Sequence, residues 1–336
     1  MISYSNWAVL SVNFLVVLCL AFAGVALCSV LYLVGGKWRH EVRQLAVSLF
    51  ALFPLAFVLL IILLAGGEHT FPWLAHVENG GHMPGWYTLP LLAAREIIGM
   101  LTVMYLSWVF IKRQEVSDRS KEDAARFHTI AAWIPFFYVL YGTMVAWDFE
   151  MTLKPYWHSA IYGMQVIISN FNMFMAFMVI WIFVLNTRDK LVTPVKDYIY
   201  NYLAQMMLAF TLLWMYTFFA QYLIIWYGNL GYESDRVMAM QNGDYSFLWW
   251  SMVALKFVIP FAVLAFPRSR YSPTVILSVA ACIITGTIFE RYTWIAGLNG
   301  TGTYPILWGI VVTSVVGFAG YKLVGSAMRR NHLIKG

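Results

Sequence analysis

The stretch WAVLSVNFLVVLCLAFAGVALCSVLYLVG, residues 7–35, decides the structural class of this protein. It contains no Asp, Glu, Lys or Arg. An α-helix rises about 1.5 Å per residue, and the hydrocarbon core of a bilayer is about 30 Å thick. About 20 apolar residues therefore cross it, so this stretch predicts a transmembrane helix.

Further apolar stretches of similar length follow along the chain. With 7–35 they predict about nine spans, near 44–66, 88–111, 129–147, 159–186, 198–227, 246–266, 274–296 and 304–325. The stretches lack the period-2 alternation of barrel strands. Only 11% of the 336 residues are charged, against about 25% in soluble domains. We predict an all-α integral membrane protein in which residues 1–336 form a single polytopic membrane domain.

The basic residues indicate the orientation of these spans. Loops on one side, with the C-terminal tail, hold 17 of the 22 Lys and Arg, whereas the other loops hold only Lys154 and Arg236. The positive-inside rule therefore predicts the N-terminus outside and the C-terminus in the cytoplasm. The first apolar run is longer than the core of a cleavable signal peptide and has no basic segment before it. The polar segment 112–126 is expected to be a cytoplasmic loop.

The sequence argues against several classes of protein. The three cysteines lie singly in apolar spans, without a CxxC pair, and no histidine lies in the middle of a span. We therefore expect no metal, no iron–sulfur cluster and no haem in this chain. It has no glycine-rich phosphate loop, and its basic residues lie in short loops, which excludes nucleic acid as a partner.

Five ionisable residues fall inside predicted spans: Arg95, Glu96, Lys256, Glu290 and Arg291. Charges at bilayer depth face the protein interior and mark a site or pathway by default. The two acid–base doublets lie about 10 Å below the outer ends of their spans, so we expect them to pair with each other. Lys256 lies near the midplane. Structural salt bridges between helices are the alternative interpretation of this network.

A polar and aromatic cluster lies at the outer junction of the fourth and fifth spans. It includes Trp147, Asp148, Trp157 and His158, and Gln221 and Tyr227 close the sixth span on the same side. A quinol headgroup fits between aromatic rings, and a carboxylate or a histidine can accept its protons. We predict a quinone-binding site from these six residues, with Asp148, His158, Glu290 and Glu96 as candidate catalytic groups. An ordinary interfacial aromatic belt is the alternative.

Three stretches resemble a known family. WDFEMTLKPYWHSAIYG (147–163), LAFTLLWMYTFFAQYLIIWYGNL (208–230) and, more loosely, FERYTWIAG (289–297) are similar to motifs of the smaller polytopic membrane subunit of alternative complex III. That bacterial complex is a quinol:cytochrome c (or quinol:oxidase) oxidoreductase, and the subunit belongs to the polysulfide-reductase-like membrane proteins. The resemblance covers residues 130–300.

The resemblance implies a fold, a location and partners. The fold would be two four-helix bundles with an extra helix and no bound metal, in the bacterial inner membrane. The partners would be an iron–sulfur subunit, multihaem cytochrome c subunits and a larger related membrane subunit. Quinol would be a substrate rather than a resident cofactor. Direct quinol binding and a proton-conducting or scaffolding role both remain open, and so does whether this chain takes part in catalysis.

A second hypothesis is an ion-coupled transporter without redox partners. Lys256 near the midplane favours it as a coupling residue. The sequence shows no inverted repeat and no matching pair of broken spans, which argues against it.

Overall fold

The structure, a computed structural model, describes residues 3–78, 85–117, 120–302 and 304–335. Within these ranges nine helices are long and apolar enough to cross a membrane. They are Tyr4–Leu33, Arg39–Ala65, Leu89–Val116, Lys121–Met151, Tyr162–Thr187, Tyr198–Gly228, Ser246–Leu264, Pro273–Ala296 and Ile306–Arg330, here called spans 1 to 9. The prediction of an all-α, multi-pass membrane protein is confirmed.

The polar segment 112–126 is mostly helical where it is described, so its prediction as a loop is wrong. Span 3 continues to Val116, and span 4 begins at Lys121. Ser120 caps span 4, because its Oγ accepts a hydrogen bond from the backbone N–H of Asp123 at 3.1 Å. Acidic residues in the first turn further favour this helix start. Local capping therefore extends the helix beyond its apolar part.

Span 1 lies at the centre of the helix packing. It contacts spans 2, 3, 4, 5, 8 and 9, and most of its surface is buried. Gly24 brings it close to span 2, since a Cβ at this position would lie 2.1 Å from the carbonyl oxygen of Ala46. Spans 1–4 pack against one another, as do spans 5–8, and span 9 packs on spans 1 and 2.

The two ends of the bundle are built differently. The N-terminal face, where span 1 begins, carries the short helices Gly67–Thr70, Trp73–Glu78 and Gly231–Asn242. At the opposite C-terminal face, Leu191 forms an isolated β-bridge with Ile334. Interhelical polar contacts thus close both ends.

Several spans depart locally from α-helical geometry. Span 2 contains a 3-10 turn, Leu49–Leu52, just before Pro54, whereas Pro135 lies inside a continuous α-helix. Span 7 contains a π turn, Ala254–Val258, between the α-helical segments Ser246–Val253 and Ile259–Leu264. Pro260 follows this turn. Because proline has no backbone N–H, the helical hydrogen bond from residue 260 to the carbonyl oxygen of residue 256 cannot form, and the wider π turn lies where this bond is missing. Another π turn, Trp147–Met151, ends span 4.

Candidate functional site

Two clusters of polar and aromatic residues, each built around buried carboxyl groups, lie in the half of the bundle nearer the N-terminal face. We call them the Asp148 cluster (Trp86, Tyr87, Arg95, Glu96, Trp147 and Asp148) and the Glu290 cluster (Glu150, Ser169, Trp214, Lys256, Glu290 and Arg291). Each cluster includes residues from a π turn, at 147–151 or at 254–258. Such turns are frequent at functional sites because they redirect side chains.

The Asp148 carboxylate is held by an arginine and a tryptophan. Arg95 Nε lies 2.6 Å from Asp148 Oδ2, and Arg95 Nη2 lies 2.6 Å from Oδ1. The indole N–H of Trp86 donates to Oδ1 at 3.1 Å. The Arg95 guanidinium also stacks 4.0 Å from the centre of the Trp86 ring. This bidentate ion pair joins span 3 to the end of span 4.

Glu96 lies beside this pair and is fully buried. Neither of its oxygens makes a hydrogen bond of good geometry among the described residues, but the Asp148 carboxyl group and the Tyr141 hydroxyl lie within hydrogen-bonding range of Glu96. The Asp148 carboxylate and the Arg95 guanidinium are near enough to act on Glu96 electrostatically. Arg95 forms its salt bridge with Asp148, so Glu96 has no ion pair of its own among the described residues. A buried carboxyl group without its own counter-charge is costly to ionise.

Two hydrogen-bond donors complete this cluster. The indole N–H of Trp147 and the hydroxyl of Tyr87 are buried and lack a partner in the described part of the chain. Burial raises the pKa of Tyr87, and the nearby Asp148 carboxylate raises it further, so the phenol stays protonated. Buried polar groups are normally satisfied, and exceptions in a native site point to an absent ligand or water.

The Glu290 cluster is fully paired. The Glu290 carboxylate accepts hydrogen bonds from Ser169 Oγ at 2.5 Å, from Trp214 Nε1 at 2.7 Å and from Lys256 Nζ. Lys256 Nζ also donates to Ser169 Oγ at 2.6 Å and lies 4.4 Å from the centre of the Trp214 ring. The lysine that favoured a transporter is thus engaged in a salt bridge.

Arg291 pairs with Glu150 rather than with a residue of span 3. Its Nη1 lies 2.8 Å and 2.7 Å from the two carboxylate oxygens of Glu150. The hydroxyl of Tyr162 donates to Glu150 Oε2 at 2.5 Å, and Arg291 Nη2 donates to Asn170 Oδ1 at 3.1 Å. Two cations and two carboxylates therefore balance within the Glu290 cluster.

A small cavity of about 30 Å³ adjoins the Glu290 cluster. Glu150, Arg291, Asn170 and Tyr141 are among the residues that line it. The Tyr141 hydroxyl is also 3.5 Å from the backbone carbonyl oxygen of Glu96. A cavity of this size accommodates a water molecule when polar partners are present. Tyr141 and this cavity therefore bridge Glu96 and the Glu290 cluster.

Arg236 secures the helix ends below the N-terminal face. It is fully buried and donates to the carbonyl oxygens of Met151 at 2.8 Å, Glu150 at 2.8 Å and Trp294 at 2.9 Å. These carbonyls end spans 4 and 8, where helix dipoles favour a cation. Burial lowers the pKa of Arg236 to about 10, so it remains charged at neutral pH.

The expected pairing between the two acid–base doublets is wrong. Arg95 binds Asp148, Glu290 binds Lys256, and Arg291 binds Glu150. The prediction placed Asp148 beyond the end of span 4, but the π turn carries it into the buried bundle. The network of Arg95, Glu96, Lys256, Glu290 and Arg291 is therefore divided between two clusters.

The six predicted quinone-site residues are also dispersed. Trp147 and Asp148 belong to the Asp148 cluster. The Trp157 ring is buried and stacks 4.7 Å from the Arg236 guanidinium, whereas Gln221 Oε1 accepts a hydrogen bond from Ser159 at 3.1 Å. His158 is exposed, and Tyr227 is 85% exposed, as expected for interfacial residues. The structure thus does not gather these residues around one ligand.

Sequence analysis missed two buried functional groups. The sequence predicts Arg236 in an outer loop, and Glu150 lies beyond the predicted end of span 4 at residue 147. An available signal was charge balance, because Lys256 and Arg291 need two carboxylates at their depth. Glu150 lies two positions after Asp148 on the same turn and points to the opposite side of the helix. It supplies the second of the two carboxylates.

No group of three or more His, Cys, Asp or Glu that could hold a metal occurs within the ranges that the structure describes. Comparison of the chain with known protein-family models gives no match, and comparison with curated proteins gives none. Its class is therefore defined by its fold alone: a multi-pass, all-α membrane protein with paired charges inside the bundle.

Proposed function

We propose that the chain is a metal-free membrane subunit of a quinol-oxidising respiratory complex of the bacterial inner membrane. The observation that carries the proposal is the buried Glu96 carboxyl group, which lies beside the Arg95–Asp148 pair, within hydrogen-bonding range of Asp148 and Tyr141. The resemblance of residues 130–300 to the smaller membrane subunit of alternative complex III supplies the reaction.

The Asp148 cluster has the groups that a quinol requires. Oxidation of a quinol releases two electrons and two protons. The electrons pass to an iron–sulfur subunit and then to multihaem cytochrome c subunits, and a larger related membrane subunit completes the complex. The Glu96 and Asp148 carboxyl groups lie within hydrogen-bonding range of each other, so a proton can pass between them. The unpartnered Trp147 N–H can donate to a quinone oxygen.

The location of the cluster favours proton release to the outside. The positive-inside rule places the N-terminal face outside, and the cluster lies near that face. Tyr141 and the cavity of about 30 Å³ give Glu96 a connection to the Glu290 cluster. The chain therefore contributes a quinol-facing site, a proton path near the outer face, or both.

The class of protein is tested by gentle purification from native membranes, followed by mass spectrometry and haem absorbance. Iron–sulfur and multihaem subunits are expected to co-purify. A colourless chain that purifies alone would overturn the proposal and favour the transporter.

The role of the site is tested with Glu96→Gln in the purified complex. The amide cannot exchange a proton, so quinol oxidation is expected to fall by roughly 10²-fold or more, as for loss of a general acid–base group. Glu115→Gln is the matched control, because Glu115 lies on the same helix but is exposed and pairs with Lys112 at 3.1 Å. Equal turnover in the two assembled variants would remove Glu96 from the mechanism.

A further inference from the structure

An apolar cavity of about 610 Å³ separates span 9 from spans 7 and 8. Span 1 forms its floor, where the Asn13 side chain donates to Thr313 Oγ1 at 3.1 Å and ties span 9 in place. None of the residues of the Asp148 and Glu290 clusters lines it. We call this cavity the span 9 slot.

The slot is elongated along span 9. Ile306, Gly309, Ile310 and Thr313 line it at helical spacing i, i+3, i+4 and i+7, which covers about 10 Å of the helix axis. Gly309 has no side chain and so leaves space on this side of the slot. A Cβ added there would have its nearest neighbour, Val9 Cγ2, at 4.0 Å. An apolar space of about 610 Å³ lined in this way accommodates part of a hydrocarbon chain.

The charges around the slot indicate what headgroup the chain carries. Among the described residues, none that lines the slot is charged. At its N-terminal end the Tyr304 hydroxyl donates to the backbone carbonyl of Asp244, and the carboxylate of Asp244 accepts from the Gly302 N–H at 3.0 Å. The acidic residue at this end repels a phosphate, and no cation lines the slot to bind one. The electrostatics therefore favour an uncharged headgroup over a phospholipid.

We propose that the span 9 slot holds the isoprenoid chain of a quinol, with the headgroup at the tyrosine-lined N-terminal end. The choice of quinol among uncharged lipids rests on the proposed function. The slot is separate from the Asp148 cluster, so it stores or delivers a quinol molecule rather than oxidising it.

The test compares the lipids that co-purify with four forms of the protein: wild type, Gly309→Phe, Gly317→Phe and Glu96→Gln. Quinones and phospholipids are extracted from each preparation and quantified by mass spectrometry. A ring at position 309 fills the slot, so the retained quinone is expected to fall at least about tenfold. Position 317 lies on the same helix with no heavy atom within 4 Å of an added Cβ, so Gly317→Phe should retain the wild-type amount. If Gly309→Phe does not elute as a single species, Gly309→Leu replaces it.

Three results would contradict quinol binding in the slot. The first is an equal amount of retained quinone in the Gly309 and Gly317 variants, and the second is loss of a phospholipid instead of quinone in the Gly309 variant. The third is loss of quinone only in Glu96→Gln. The proposed function fails separately. If no redox subunits co-purify but the amount of retained quinone still depends on the residue at position 309, the quinone-binding slot is supported and the respiratory function is rejected.

Discussion

At the scale of single residues, the buried charges differ in how completely they are compensated. Lys256 and Arg291 each face a carboxylate, and Glu290 also receives hydrogen bonds from Ser169 and Trp214. Glu96 has no ion pair of its own in the described structure. Fully paired groups hold helices together, whereas an uncompensated acid is available for proton exchange. The first role fits the Glu290 cluster and the second fits the Asp148 cluster.

This difference predicts how Glu290 responds to substitution. Glu290→Gln leaves the Lys256 ammonium buried without its counter-charge, so the protein should lose about 3–5 kcal/mol of stability. Lys256→Met combined with Glu290→Gln removes both charges and should recover most of the loss. Thermal unfolding in detergent measures both variants. If the double variant is no more stable than Glu290→Gln alone, the pair does not act as a compensated unit.

At the scale of elements, close helix contacts position the charged side chains. Span 8 passes the π turn of span 7 at Gly286, where an added Cβ would lie 2.6 Å from Lys256 Cγ and 3.0 Å from Leu255 Cβ. The glycine allows the turn to approach, and the approach places the lysine against Glu290. Small residues at such crossings are a general device in membrane bundles.

Gly286→Ala is therefore expected to force spans 7 and 8 apart and to destabilise the protein by about 1–3 kcal/mol, the usual cost of overpacking. The control is Gly317→Ala, whose methyl group meets open space and should change stability by less than about 0.5 kcal/mol. The midpoints of thermal unfolding compare them. Equal midpoints would show that the crossing tolerates a side chain.

At the scale of the whole molecule, the distribution of basic residues predicts the orientation. Tyr227 at the N-terminal face is 85% exposed, and the side chain of Glu122 at the C-terminal face is 71% exposed. In a background without the three native cysteines, Tyr227→Cys should react in intact cells with a maleimide that cannot cross membranes. Glu122→Cys should react only after the membrane is opened. The reverse pattern would invert the topology and place the Asp148 cluster near the cytoplasm.

The sequence by itself determined the class and the number of spans. Long apolar runs such as residues 7–35 can be stabilised only as buried or lipid-facing helices, and this requirement is local to each run. The sequence also identified Arg95, Glu96, Lys256, Glu290 and Arg291 as unusual, because charge at bilayer depth is costly wherever the helices lie.

Only the tertiary structure decided which charges meet. Pairing depends on helix neighbours and on rotation about each axis, and neither is encoded in a single apolar run. Two π turns change that rotation, so Asp148 faces Arg95 while Glu150 faces Arg291. Arg236 becomes buried because the carbonyls at the ends of spans 4 and 8 converge on it. The same packing leaves Glu96 buried beside Asp148 without a salt bridge of its own in the described structure, and this feature gives the chain its candidate site.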